Sequence, residues 1–310
     1  MGAVLGHQLQ TYATTAGARE DVLDLITQID PEETPLLDRL GVTKAAGRLH
    51  EWLQDTLESG TGSGGSNLEG AVSVARRLDA RSRLYNATQI TSYVFGISGT
   101  QEAISQYGLE SEYAYQLEKA MKIMKIMQEQ ILLNSYYSAD VPASYQCATA
   151  ARTLNGVIKA ISTNVQTGSA GSCALTETLF NDLLQDIFTN GNGRPDTAFA
   201  GGYQKRKISG FSSNNVRYIN MQQEKTLRNT ITAYESDFGT ISVVLDRWVP
   251  AAVVPVLTMA DWKIAYLRKP FVQQLGIAGD CKEAQIITEY TLEYLNEANS
   301  GMLSAFAASA

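Results

Sequence analysis

Residues able to do chemistry are few in this chain, and they are scattered. Gly60-Thr61-Gly62-Ser63-Gly64-Gly65 reads as G-x-G-x-x-G, the spacing that lets a backbone loop approach a pyrophosphate. That use needs a buried strand before the loop, a helix straight after it and an acid about 20 residues further on. Here the preceding strand is half polar, Ser66-Asn67-Leu68 opens no helix, and Asp79 comes too early. No G-K-[ST] occurs, which removes a P-loop. Asp237-Phe238-Gly239 spells the metal-binding tripeptide of kinases but has no H-R-D loop to work with, and reads as a turn entering a strand at Thr240. His50 stands beside Glu51 without the second histidine of H-E-x-x-H, and the other histidine is His7. A Ser-His-Asp or Cys-His arrangement through His50 stays open, because its partners can be distant in sequence; a polar surface histidine explains it as well. Cys147, Cys173 and Cys281 lack metal-ligand spacing and read as small buried thiols of a reducing compartment. Lys205-Arg206-Lys207 reads as a solvated turn. The chemistry points to no enzyme, no cofactor and no metal.

The elements that would have to position such residues are clearer. The 310 residues are 44% hydrophobic and 18% charged, as expected of a soluble globular protein with a substantial core. A formal charge of −7 argues against a dedicated nucleic-acid binder. No apolar run is long enough to span a membrane, and Met1–Thr15 lacks the pattern of a secretion signal. Residues 1–20 are small and polar and read as a flexible arm. Asp21–Ile29 is amphipathic and stops at Asp30-Pro31; Pro35 starts a short apolar segment, Leu36–Leu40. Arg48–Leu57 alternates as a partly buried strand, with Leu49, Glu51, Leu53, Asp55 and Leu57 on one side. Ala71–Tyr85 reads as a returning strand and Gln89–Ile97 as a firmer one.

Ser98-Gly99-Thr100-Gln101 has capping-box form and opens a helix ending near Gly108. From Glu110 to Ser135, Tyr113, Leu117, Ala120, Met124, Met127 and Ile131 form one helical stripe, beside a charged stripe of Glu118, Lys122, Lys125 and Glu129. At 1.5 Å per residue this helix is about 38 Å long. Thr176–Phe188 reads as an amphipathic helix, Thr240–Val249 as a strand, and Ala284–Asn296 as a strand with Ile286, Thr288, Tyr290, Leu292 and Tyr294 on one face. The class is α+β. Residues 46–88 form two partly polar arms joined by the glycine tip, each reaching roughly 50 Å. A two-stranded ribbon is marginal alone and gains stability by lying on something else. With the arm, that makes two projections suited to docking on neighbouring copies.

In these residues the chain resembles tailed-phage major capsid proteins. Ile29-Asp30-Pro31-Glu32-Glu33-Thr34-Pro35-Leu36-Leu37, His50-Glu51-Trp52 and Asp55-Thr56-Leu57 carry the resemblance at the start. Gly99–Ala103, Ser111–Leu117 and Ala151–Gly156 continue it, and Tyr234–Gly239, Glu289–Glu293 and Asn296-Glu297 complete it. That family is similar in architecture to the Hong Kong 97-type capsid fold. The resemblance implies an N-terminal arm (1–45), an extended E-loop (46–88), a peripheral P-domain with a long spine helix (89–154), an axial A-domain (155–262) and a return to the P-domain with the C-terminus (263–310).

It implies a structural protein of the virion, made in the host cytoplasm, that assembles with itself into pentamers and hexamers of an icosahedral shell. The shell would contact packaged double-stranded DNA non-specifically, with a portal and separate scaffolding and decoration proteins as further partners. A cellular encapsulin-type shell is the rival within the same fold. Inter-subunit contacts are expected at Asp30, Pro31, Thr34, Pro35, Trp52, Gly62, Gly64, Gly65, Arg76 and Arg77. Two departures from the family pattern, Leu267-Arg268-Lys269-Pro270-Phe271 with one extra residue and Gly276–Asp280 without a lysine, are expected in loops. So few residues precede the matched segment that no large built-in scaffolding region is expected.

Overall fold

The computed structural model describes residues 31–55, 69–70, 81–104, 109, 111–134, 151–168, 173–191, 193–211, 233–276 and 279–307. In chain order the elements are β1 (Gly41–Lys44), β2 (Leu49–Gln54), β3 (Ser82–Ala87), β4 (Gln89–Ser98), α1 (Gly99–Ala103) and α2 (Glu112–Asn134). Then come α3 (Val157–Ala160), β5 (Val165–Thr167), α4 (Glu177–Gly191), β6 (Thr197–Ala200) and α5 (Gly202–Gly210). The last are β7 (Ala233–Ser236), β8 (Gly239–Leu245), β9 (Val254–Leu257), β10 (Trp262–Gln274), β11 (Cys281–Tyr294) and β12 (Gly301–Ser304).

Among the described residues these strands form three sheets. A four-stranded sheet runs β1-β10-β11-β4, a six-stranded sheet runs β5-β12-β9-β6-β8-β7, and β2 and β3 pair as a two-stranded ribbon. The Asp237-Phe238-Gly239 tripeptide is the hairpin turn between β7 and β8, where Ser236 pairs with Gly239. Gly239 has φ +135°, a backbone state that only glycine adopts without strain.

Helix α1 begins as its sequence indicates: the Ser98 side chain accepts from the Gln101 N–H at 3.2 Å. It is shorter than expected, closing at Ala103 with Ile104 extended. Helix α2 lays Ala120 and Met124 against Phe95 of β4 and Ala284 and Ile286 of β11, with Tyr113 and Leu117 packed at the margin. Toward its C-terminus the buried face rotates to Gln128, Glu129, Leu132 and Leu133. Glu129 therefore leaves the exposed charged stripe expected of it. It is 0% exposed, because the helix passes there from under the sheet to beneath the 34–40 turn. The main core gathers that turn (Leu36, Leu40), the end of α2 (Leu132, Leu133), Leu154, and Trp262, Ile264, Tyr290 and Leu292 of β10 and β11.

The six-stranded sheet has its own core, where Phe180, Leu183, Leu184 and Ile187 of α4 cover Ala198, Val243, Val254, Val256 and Leu303. Strand β8 stops at Leu245, short of the expected Val249, because Asp246 turns back to accept from the Trp248 N–H at 2.8 Å. The Leu267–Phe271 departure lies in β10 and not in a loop. The β10–β11 register shifts between Tyr266 and Arg268 and again between Arg268 and Phe271, so the added length is taken up as a bulge. Pro270 is tolerated because β1 pairs with Lys263–Tyr266 and, among the described residues, no strand pairs with that edge of β10 at Pro270. Cys173 and Cys281 are half-exposed, contrary to the buried thiols expected; Cys147, Asp21–Ile29 and most of Ala71–Tyr85 lie outside the described residues.

Strand β11 lies between β10 and β4 and is buried on both faces over its second half. The alternating set Ile286, Thr288, Tyr290, Leu292 and Tyr294 points inward as its period demands. The opposite set is covered too and carries two acids. Glu289, 4% exposed, accepts from Arg152 at 2.6 Å, from Arg268 at 2.9 Å and from the Thr88 hydroxyl at 3.1 Å.

Two changes test this packing. At Gly191, the last residue of α4, an added Cβ would overlap the carbonyl oxygen of Ala298 in the turn after β11. Gly191→Ala is expected to cost about 1–3 kcal/mol by overpacking, whereas Gly202→Ala, with open space around it, leaves the thermal midpoint nearly unchanged. Arg152→Ala is expected to cost about 3 kcal/mol in urea unfolding, the low end for breaking a buried pair, because Arg268 still holds Glu289. An R152A chain as stable as the parent would mean that the ion pair does not hold this joint.

Candidate assembly site

The described residues show how the β2–β3 ribbon and the 31–40 turn are fixed to the rest of the chain. The ribbon pairs β2 and β3 from Leu49↔Ala87 to Gln54↔Ser82. Its faces are the reverse of the sequence expectation. Glu51 and Leu53 face solvent, with Leu53 63% exposed, while His50 and Trp52 face the protein. Trp52 packs edge-on against Tyr294 at 5.0 Å between ring centroids, and Leu84 opposite it joins the same core. The polar roots lie on β11. His50 Nε2 is 3.1 Å from Glu293 Oε2, and the Asn86 amide donates to the Leu292 carbonyl at 2.8 Å and to the Asn155 carbonyl at 3.1 Å.

His50 is therefore half-buried and in contact with the Glu293 carboxylate, not a free surface histidine. The Thr43 hydroxyl donates to the same Glu293 Oε2 at 2.9 Å. Hydroxyl and imidazole thus meet on one carboxylate oxygen, and not in the hydroxyl–imidazole–carboxylate line that nucleophile activation uses. On the outer face of the ribbon, exposed Leu53 and Tyr85 flank an Arg83–Glu51 pair at 3.2 Å.

The 31–40 turn is held by a different set of contacts. Glu129 Oε1 accepts from the Leu36 N–H at 2.8 Å and Oε2 from the Leu37 N–H at 2.7 Å, so one carboxylate caps two backbone donors. The Trp248 indole donates to the Glu33 carbonyl at 2.9 Å, and Lys122 pairs with Glu32 at 3.0 Å and Lys125 with Asp38 at 3.5 Å. Burial pushes the Glu129 carboxyl up to about 7, against the two amide bonds that favour its charged form; the adjacent Asp246 adds to the rise. Asp246 is likewise raised, chiefly by burial. Lys205 is lowered, also by burial.

Of the expected contact residues, Pro31, Thr34 and Pro35 lie together on this turn, Thr34 buried in it and the prolines half-exposed. Trp52 lies on the ribbon with its ring turned into its own chain. Asp30, Gly62, Gly64, Gly65, Arg76 and Arg77 fall outside the described residues. Sequence reasoning missed Glu129, Glu293 and the outer pair Leu53 and Tyr85. The signal for the ribbon faces was present: Trp52 shares parity with His50, and a tryptophan is the residue that most needs cover.

Residues 8–307 match the model of the family described as SU10 major capsid protein. The major capsid protein of Escherichia phage Phieco32 is 24% identical over 337 residues, spanning 93% of this chain and 94% of that protein. Among solved structures, the Cyanophage A-1(L) capsid asymmetric unit aligns with a TM-score of 0.69 at 12% identity, covering 94% of this chain and 97% of that one. The holo-SrpI encapsulin complex from Synechococcus elongatus PCC 7942 aligns with a TM-score of 0.56 at 12% identity, covering 92% and 94%. At these identities the structural likeness shows the fold, which is the α+β Hong Kong 97-type capsid fold. Matched by one family model along nearly its whole length, the chain belongs to the SU10 major capsid protein family and is a phage major capsid protein.

Proposed function

We propose that the chain assembles, without enzymatic activity, into pentameric and hexameric rings that close an icosahedral shell around packaged double-stranded DNA. Assembly takes place in the host cytoplasm, with a portal and with separate scaffolding and decoration proteins as partners. The observation that carries this reading is the ribbon, which is rooted on one face by His50, Trp52 and Asn86 while its other face presents Leu53 and Tyr85 to solvent. A two-stranded ribbon so exposed is stabilised by a second surface, and a second subunit supplies one. Ring closure then follows from repeating one heterologous contact.

In this reading residues 1–45 are the arm, 46–88 the E-loop with Gly62, Gly64 and Gly65 at its tip, and 89–154 the peripheral domain with α2 as its spine. Residues 155–262 form the axial domain, and 263–310 return toward the periphery. The exception is Gly301–Ser304, which pairs with β5 and β9 in the six-stranded sheet and is counted with the axial domain. Asp30, Pro31, Thr34, Pro35, Arg76 and Arg77 are contact candidates, and Trp52 contributes by fixing the ribbon from within.

The chain expressed alone, followed by size-exclusion chromatography with light scattering and negative-stain microscopy, is expected to give rings, tubes or closed shells. A monomer that stays monomeric after a scaffolding protein is added would overturn the reading. Purified particles are expected to contain nucleic acid; cargo protein without nucleic acid would favour an encapsulin-type shell. Removing residues 59–66 is expected to leave the thermal midpoint nearly unchanged and to reduce closed particles at least about tenfold, the loss of about 1.4 kcal/mol per contact. His50→Ala is expected to cost about 1 kcal/mol of stability and leave particle formation largely intact. A turnover lost in H50A with assembly intact would instead revive an enzymatic role.

A further inference from the structure

Two carboxylates meet inside the joint between the 31–40 turn, α2 and the segment after β8. Glu129 is 0% exposed and Asp246 1%. Both oxygens of Glu129 accept backbone N–H groups of the turn, at 2.8 and 2.7 Å. Asp246 Oδ1 accepts from the Trp248 N–H and its carboxyl lies against that of Glu129; its buried Oδ2 has no N–H donor among the described residues. Among the described residues neither acid forms an ion pair with a lysine, arginine or histidine.

The charged groups of the surrounding elements are engaged elsewhere or turned outward. Glu32 pairs with Lys122 and Asp38 with Lys125. Arg39 donates to the Pro35 carbonyl, and Arg247 is exposed. Glu33 adds only further negative charge to the field at Asp246. Two buried carboxylates without a cation cannot both ionise without strong repulsion, and a proton held between them removes it.

We propose that Glu129 and Asp246 form a one-proton latch, which keeps the 31–40 turn docked on α2 while a proton is held between them and frees the turn when that proton leaves. The orphan Oδ2 has what it lacks if the proton bridges it to Glu129, and Glu129 keeps both amide donors. A cleft of about 510 Å³ opens on the outer side of the turn, lined by Glu33, Thr34, Pro35, Asp38, Arg39 and Leu245, and leaves the turn room to move. The direction of the effect follows from the raised Glu129 carboxyl. The folded chain binds this proton more tightly than the unfolded one, whose glutamate has its ordinary value of 4.5. The stabilisation is therefore complete below about 4.5 and is lost as pH rises through about 7.

Trp248, bonded to both Asp246 and Glu33, is a built-in reporter. Trp52 lies 5.8 Å from His50 between ring centroids, so the test uses a Trp52→Phe background to keep that contact out of the emission. In the unassembled full-length chain, tryptophan emission is expected to titrate with a midpoint near 7. The transition should vanish in Asp246→Asn and in Glu129→Gln, and persist in His50→Gln. A transition that survives either amide variant, or disappears in H50Q, overturns the latch. Should the amide variants fail to fold, hydrogen exchange in the unaltered chain decides. Over Thr34–Leu40, after correction for intrinsic base catalysis, exchange is expected to quicken about tenfold between pH 6 and 8. Unchanged protection there overturns the proposal.

Discussion

A strand paired on both edges and covered on both faces must find a partner for every polar group it carries, and β11 sets the terms for the rest of the chain in this way. Glu289 and Glu293 lie on one face of it, two acids largely buried from solvent. Each is satisfied by groups brought from elsewhere: Arg152, Arg268 and Thr88 at the first, His50 and Thr43 at the second. Those residues belong to β1, β2, β10 and the segments after β3 and before α3. Meeting the polar demand of one strand thus places the ribbon and closes the sheet around it.

The same logic, with opposite economy, governs the N-terminal turn. There the acceptor is a helix carboxylate and the donors are bare backbone N–H groups, so Glu129 holds the turn without any side chain of the turn taking part. The contact is buried and lies against Asp246, so its strength depends on how many protons the two acids hold. The ribbon, too, is fixed on one face and open on the other, with an inner face of Trp52 and Leu84 and an outer face of Leu53 and Tyr85.

Much of the local structure is legible in the sequence because it depends on neighbours in the chain. The Ser98–Gln101 cap, the α2 stripe from Tyr113 to Met124, the α4 helix and the alternation of β11 all follow from period and capping chemistry. The kinase-like tripeptide could be read as a turn on context alone, and the Asp237–Gly239 turn is where that reading placed it. The family, too, shows in the order of short motifs along the chain, and the match over residues 8–307 bears it out.

What the tertiary structure alone decided was which face of each element is inside. Leu49, Glu51 and Leu53 of β2 look like the apolar side by composition, yet the strand turns Trp52 inward because Tyr294 and the main core lie on that side. Glu129 looks like one more acid in an exposed stripe, yet α2 runs beneath Leu36 and Leu37 just where that residue falls. The bulge at Arg268 likewise depends on β11 lying alongside with Glu289 waiting. Periodicity along a segment states that one face differs from the other; only the partner, distant in sequence, determines which face is buried and what charge that face must satisfy.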